Sequence, residues 1–114
     1  MTARGGKLYI KDILDSIDNI ESYVEKMSFK KFSENKMAID AVIRNFEIIG
    51  EAAKNISSQI KSRYKGIPWK EMAGMRDKMA HEYFGIDLKI VWKTIKQSLP
   101  ALKDSIKNIP FPPF

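Results

Sequence analysis

Apolar residues in this chain recur at three- and four-residue steps almost from end to end. Ile10, Ile13, Leu14, Ile17, Ile20, Val24 and Met27 form the first run. That spacing gathers them into one stripe along a helix. Asp12, Asp15, Asp18, Glu21 and Glu25 fall between them, on the side facing water. A stripe of this kind has to be buried against another element. Nothing in the chain alternates with a two-residue period for long, so the other elements are expected to be helices too.

Residues Ser28 to Ser33 break the first pattern. A second helix is expected from about Ser33 to Ile56, with Met37, Ala41, Val42, Phe46, Ile49, Ala52, Ala53 and Ile56 as its apolar set. Gly50 lies inside it, where glycine costs about 1 kcal/mol relative to alanine. Close packing against a neighbouring helix is the expected reason. Ser57 to Tyr64 reads as either a short helix or an irregular turn. Lys65-Gly66-Ile67-Pro68 is a break, and Pro68 suits the first turn of a new helix, where its missing N–H is no loss. That helix carries Trp69, Met72, Met75 and Met79 and is expected to end near His81 or Glu82, with Phe84-Gly85-Ile86-Asp87 as its stop and Asp87 as the next cap. Leu88, Val91, Trp92, Ile95 and Leu99 continue the helical spacing, and Pro100 starts or kinks a last turn holding Leu102 and Ile106. The expected fold is all-α, an up-and-down bundle of four to five helices. Residues 1–109 are expected to form one domain. Residues 110–114, Pro-Phe-Pro-Pro-Phe, are expected to be an extended tail.

The chain has 114 residues, a one-domain length, and enough apolar content (44%) to bury a core. It has no cysteine and one histidine, which removes disulfides, thiolate metal sites and cysteine nucleophiles. No apolar run approaches the roughly 18 residues that a membrane span needs. The first residues lack the apolar core of a signal peptide, and a cytoplasmic location is expected. Twenty Lys and Arg against fourteen Asp and Glu give a net charge of +6. That balance favours an anionic partner such as RNA or an acidic protein, and equally suits a plain lysine-rich surface. The basic residues are spread along the chain rather than massed in a tail.

The one histidine sits in Met75-Arg76-Asp77-Lys78-Met79-Ala80-His81-Glu82-Tyr83. Histidine alone titrates near neutrality without help, and arginine offers a planar fork for phosphate. Together they point to chemistry on a phosphodiester. On a continuous helix Arg76 and His81 are turned about 140° apart and lie about 7.5 Å apart along the axis. One subunit is then poorly placed to close both around one phosphate. Either the helix ends between them, or two copies meet across a two-fold interface. The second option supplies two histidines, an acid and a base, and two arginines.

Arg76 to His81, extended by Tyr83, resembles the R-x4-H-x-Y motif of the HepT-like HEPN-domain ribonucleases. Arg44 to Lys54 resembles that family's long helix, and Pro68-Trp69, Tyr83-Phe84-Gly85 and Val91-Trp92 fall where the family places them. The likeness covers nearly the whole chain. It implies a dimeric, metal-independent endoribonuclease acting without a cofactor, the toxin of a type VII-like toxin–antitoxin system. Its partner would be a minimal nucleotidyltransferase (MNT) antitoxin. Arg76 and His81 would be the catalytic pair, with Asp77 assisting at the polar position after the arginine. The family more often has asparagine there, and an aspartate adds negative charge near the phosphate, which bears on rate and not on fold. Tyr83 would be the tyrosine that the antitoxin modifies with AMP, placing a bulky anion two residues from His81.

Plainer readings stand beside these. His81 also suits a helix C-terminal cap, Arg76 an ion pair with Glu71 or Glu82, and Tyr83 simple packing. Met72, Met75 and Met79 suit a core or an interface. Glu47 and Glu51, one turn apart, have Arg44 and Lys54 close by, which favours an ion-pair network over a metal site. The tail has three possible seats: its own bundle, a second copy or the antitoxin. A different class of function also fits the sequence, a catalytically idle helical module that partners a minimal nucleotidyltransferase.

Overall fold

The first apolar run folds as expected. In the computed structural model, which describes residues 5–81 and 87–109 with the side chains of residues 76–81 excepted, helix α1 spans Gly5–Val24. Ile10, Ile13, Ile17, Ile20 and Val24 are all essentially inaccessible to water. Complete burial of one such side chain contributes about 1.5–3 kcal/mol, so this stripe fixes the rotation of α1 about its axis.

The break after α1 holds more structure than its sequence pattern predicts. Residues Phe29–Ser33 form a short helix, α2, capped by Ser28, whose Oγ accepts a hydrogen bond from the Lys31 N–H at 3.1 Å. Phe32 pins it to the core, fully buried. Helix α3 then spans Lys36–Asn55 and starts later than Ser33. Ser33 belongs to the last turn of α2, where its hydroxyl donates to the Lys30 carbonyl at 2.8 Å. The cap of α3 is Asn35, whose Oδ1 accepts from the Ala38 N–H at 3.0 Å. Met37, expected in the apolar set, is 84% exposed. It lies in the first turn, off the face that carries Ala38, Val42, Phe46, Ile49 and Ala53.

Helix α3 is the spine of the bundle. It packs along α1 on one side and along α5 (Trp69–His81) on the other. Its buried set accordingly wraps about half of the helix, from Ala52 round to Ile43. Gly50 is buried within it, in keeping with close helix packing. Buried Asn45 meets α1 at the edge of this core: its Oδ1 accepts from Nδ2 of exposed Asn19 at 3.2 Å, and its Nδ2 donates to the Ala41 carbonyl at 2.9 Å. Burying an amide in this way is tolerated because its hydrogen bonds are met.

Ser57 to Tyr64 resolves as a short helix, α4, over Ser58–Arg63, capped by Ser57 and seated by buried Ile60. Pro68 stands one residue before α5, and its carbonyl accepts the first helical bond, from the Met72 N–H at 3.0 Å. Asp87 caps the next helix as expected, with Oδ1 accepting from the Lys89 N–H at 2.9 Å. That helix is α6, Leu88–Lys93. It runs through a π-helical turn, Thr94–Ser98, into α7, Leu99–Lys107. In the π turn the Leu99 N–H donates to the Thr94 carbonyl. Pro100 has no N–H to give, and the widened turn just before it lets the rod continue without a break. Four rods, α1, α3, α5 and α6–α7, with α2 and α4 as connectors, make the all-α bundle expected from the sequence. Among the described residues there is no strand, and no described helix is long and apolar enough to cross a membrane. Ile109 is buried. The tail, residues 110–114, and the stop at residues 84–86 lie outside the described residues.

Candidate active site

Helix α5 carries the Arg-His motif, and its first half is firmly held. Trp69 is 6% exposed, and its indole Nε1–H donates to the Tyr64 carbonyl at 3.0 Å. Met72 is buried, and Met75 packs against the core. Met72 and Met75 share a cavity of about 610 Å³ with Leu99 and Leu102 of α7. This packing accounts for both methionines. The Met79 side chain lies outside the described residues.

The α5 backbone remains helical from Trp69 through His81. Arg76, Asp77 and His81 therefore sit on one continuous helix. This removes the option that the helix ends between Arg76 and His81. The pair keeps the separation of an unbroken helix, about 140° in rotation and about 7.5 Å along the axis. His81 is the last described residue of α5. The side chains of Arg76, Asp77 and His81 lie outside the described residues, as does Tyr83.

A polar cleft of about 380 Å³ lies between α1 and α3. Arg44, Glu47 and Glu51 enter it from α3, and Tyr9 and Asp12 from α1. The sequence pattern placed Asp12 merely on the water side and did not single out Tyr9. The signal was there in principle, since both fall about one turn apart on the edge of the α1 stripe. Among the described residues no three of His, Asp and Glu converge as a metal site.

Three further carboxylates of α1 have lysine partners. Lys11 Nζ pairs with Asp15 at 2.6 Å. Lys103 of α7 reaches across to Asp18 at 2.8 Å and Glu21 at 3.2 Å. The Lys103 ammonium is held above the usual lysine range by its hydrogen bond to Asp18, then by that to Glu21.

Comparison with known proteins matches residues 13–109 to the family described as Ribonuclease HepT-like. A "Probable ribonuclease HepT" of Thermococcus cleftensis is 44% identical over 93% of this chain and 96% of its own. A "Putative RNase" of Methanocaldococcus jannaschii is 42% identical over 96% of this chain and 90% of its own. Another, of Caldanaerobacter subterraneus, is 40% identical over 89% and 90%. No solved structure matches the chain at a significant level. The matched span takes in α3, α5 and the whole Arg-His motif, and it places this chain in the Ribonuclease HepT-like family.

Proposed function

We propose that this protein is an endoribonuclease toxin that cleaves RNA without a metal, using Arg76 and His81 from two copies of α5. The observation that carries the reading is the unbroken helix from Trp69 to His81 in a chain of this family. A single α5 turns the two residues away from each other. A two-fold dimer supplies a second Arg-His pair to the same phosphate.

The chemistry needs little else. One histidine takes the proton from the 2′-OH, and that oxygen attacks the adjacent phosphorus. The bond to the 5′-oxygen breaks, and the second histidine returns a proton to the leaving oxygen. The products are a 2′,3′-cyclic phosphate and a 5′-hydroxyl. Arg76 orients the phosphate and stabilises the extra negative charge of the pentavalent state. Asp77 assists polar positioning beside it. The partner is a minimal nucleotidyltransferase antitoxin, which silences the site by transferring AMP to Tyr83. The bundle of residues 1–109 forms the nuclease domain, and residues 110–114 an extended tail.

Expression of the chain alone should arrest growth, and Arg76→Ala should relieve the arrest. Harmless expression, together with tight binding to the nucleotidyltransferase, would support the idle helical module instead. With the antitoxin and ATP present, mass spectrometry should find AMP on Tyr83. An unmodified tyrosine in a neutralised pair would make the inhibition steric.

A further inference from the structure

The surface formed by α2 and α6 combines basic side chains with a shared aromatic anchor. Helix α2, helix α6 and the π turn together carry Lys30, Lys31, Lys89, Lys93 and Lys96, and no Asp or Glu. The two segments are more than fifty residues apart in sequence, and Trp92 joins them. Its ring lies 5.2 Å from that of Phe32 and 6.2 Å from that of Phe29, centroid to centroid. Lys96 Nζ stands over the same indole at 4.8 Å. Lys89, Lys93 and Lys96 follow one another at steps of four and three, so they line one face of the rod.

Ordinary explanations do not account for this arrangement. Like charges one turn apart on a helix repel, and the effect is destabilising by a few tenths of a kcal/mol per pair. Among the described residues none of these five lysines has an ion-pair partner. Lys11, Lys36 and Lys103 are paired with carboxylates, whereas Lys61, Lys65 and Lys107 are as unpaired as these five, so what sets this face apart is its anchor on Trp92. Dipole capping does not explain Lys93 either, because the rod continues past it into the π turn. The nearest acidic group on this rod, Asp87, has its carboxylate engaged as the cap of α6.

We propose that this lysine face, held rigid by Trp92, is a binding surface for the backbone of single-stranded RNA, separate from the catalytic pair and leading to it. The inference rests on the ribonuclease reading above. Ammonium groups on one helix face match a chain of phosphates, and rigid anchoring lowers the entropy lost on binding. The site of chemistry is within reach. Six residue steps separate His81 from Asp87, a span of no more than about 22 Å. An acidic protein is the competing occupant, but an extended row of point charges fits a strand of regularly spaced phosphates better.

The test uses a fluorescein-labelled 2′-O-methyl oligoribonucleotide, which lacks the 2′-OH nucleophile and so reports binding without cleavage. Fluorescence anisotropy is measured across a range of salt. The triple variant Lys89→Ala/Lys93→Ala/Lys96→Ala should bind on the order of tenfold more weakly, and its salt slope should shrink by about 2, near 0.7 for each phosphate left without its lysine. A control triple, Lys61→Ala/Lys65→Ala/Lys107→Ala, carries the same charge change elsewhere and should bind nearly as the wild type does. Equal losses in the two triples would overturn the proposal, since only total charge would then matter. Unchanged RNA binding in the first triple, with loss of the nucleotidyltransferase, would overturn it in favour of a protein partner. Wild-type activity on cleavable RNA is followed separately. Its absence would count against the ribonuclease reading, whereas an active wild type with an indifferent lysine face would count against this proposal alone.

Discussion

Two surfaces of this bundle treat charge in opposite ways. Helix α1 is acidic, and lysines come to it: Lys11 from its own preceding turn and Lys103 from α7. The face made by α2 and α6 is basic, and no described carboxylate pairs with it. On α1 the Lys103 pairs tie α7 to it, so these charges serve the fold. On α6 and the π turn the lysines make no ion pair, and apart from Lys96, which stands over Trp92, they remain available to a partner. A net charge of +6 is thus less informative than its distribution.

Removing the anchor should cost the most stability. Trp92→Ala deletes the ring that joins α2 to α6 and should destabilise the protein by about 3 kcal/mol, at the lower end for truncating a large aromatic because Trp92 is only partly buried. Thermal unfolding measures that loss. RNA affinity should fall with it at temperatures where the variant stays folded, and an unchanged affinity would separate the lysines from their anchor.

A smaller effect sharpens the contrast. Lys103→Met should lower stability by less than about 1 kcal/mol, since its ion pairs are partly exposed and screened. The sign of its pH dependence follows from its raised pKa. Its contribution is complete below the ordinary lysine range and is lost as pH climbs through the raised folded value. Denaturant midpoints of wild type and Lys103→Met should therefore converge at high alkalinity, and a gap that widens there would contradict the assignment.

The smallest change in stability belongs to the lysine face. Lys89→Ala/Lys93→Ala/Lys96→Ala should leave the unfolding free energy within about 0.5 kcal/mol of wild type, as for exposed substitutions away from packing. A loss of several kcal/mol would mean that these lysines hold the bundle together.

The sequence was most legible where one periodicity governs. The α1 stripe, the burial of Phe46 and Met72, and the Asp87 cap all follow from spacing and cap chemistry. Legibility failed where two signals of equal strength competed. Ser33 and Asn35 are both good caps, and only the formation of α2 decides between them. Met37 looks like core by type, yet the true helix start turns it outward. The π turn was hidden because Pro100 is compatible with a stop, a kink or a bulge. At the site, Arg76 and His81 stood out as types, while the continuity of α5 decides how far apart they sit. The lysine face could not be read at all from linear charge. Its two halves are distant in sequence and meet only through the packing of Trp92.

Cleavage in the presence of EDTA decides the role of His81. The purified wild-type protein should cut RNA there and leave 2′,3′-cyclic phosphate ends. His81→Ala, shown by circular dichroism to keep its helices, should lose at least about a hundredfold in rate, the lower range for removing a general acid–base. Cleavage that persists in the folded His81→Ala protein, or that disappears from the wild type when EDTA is added, would contradict it.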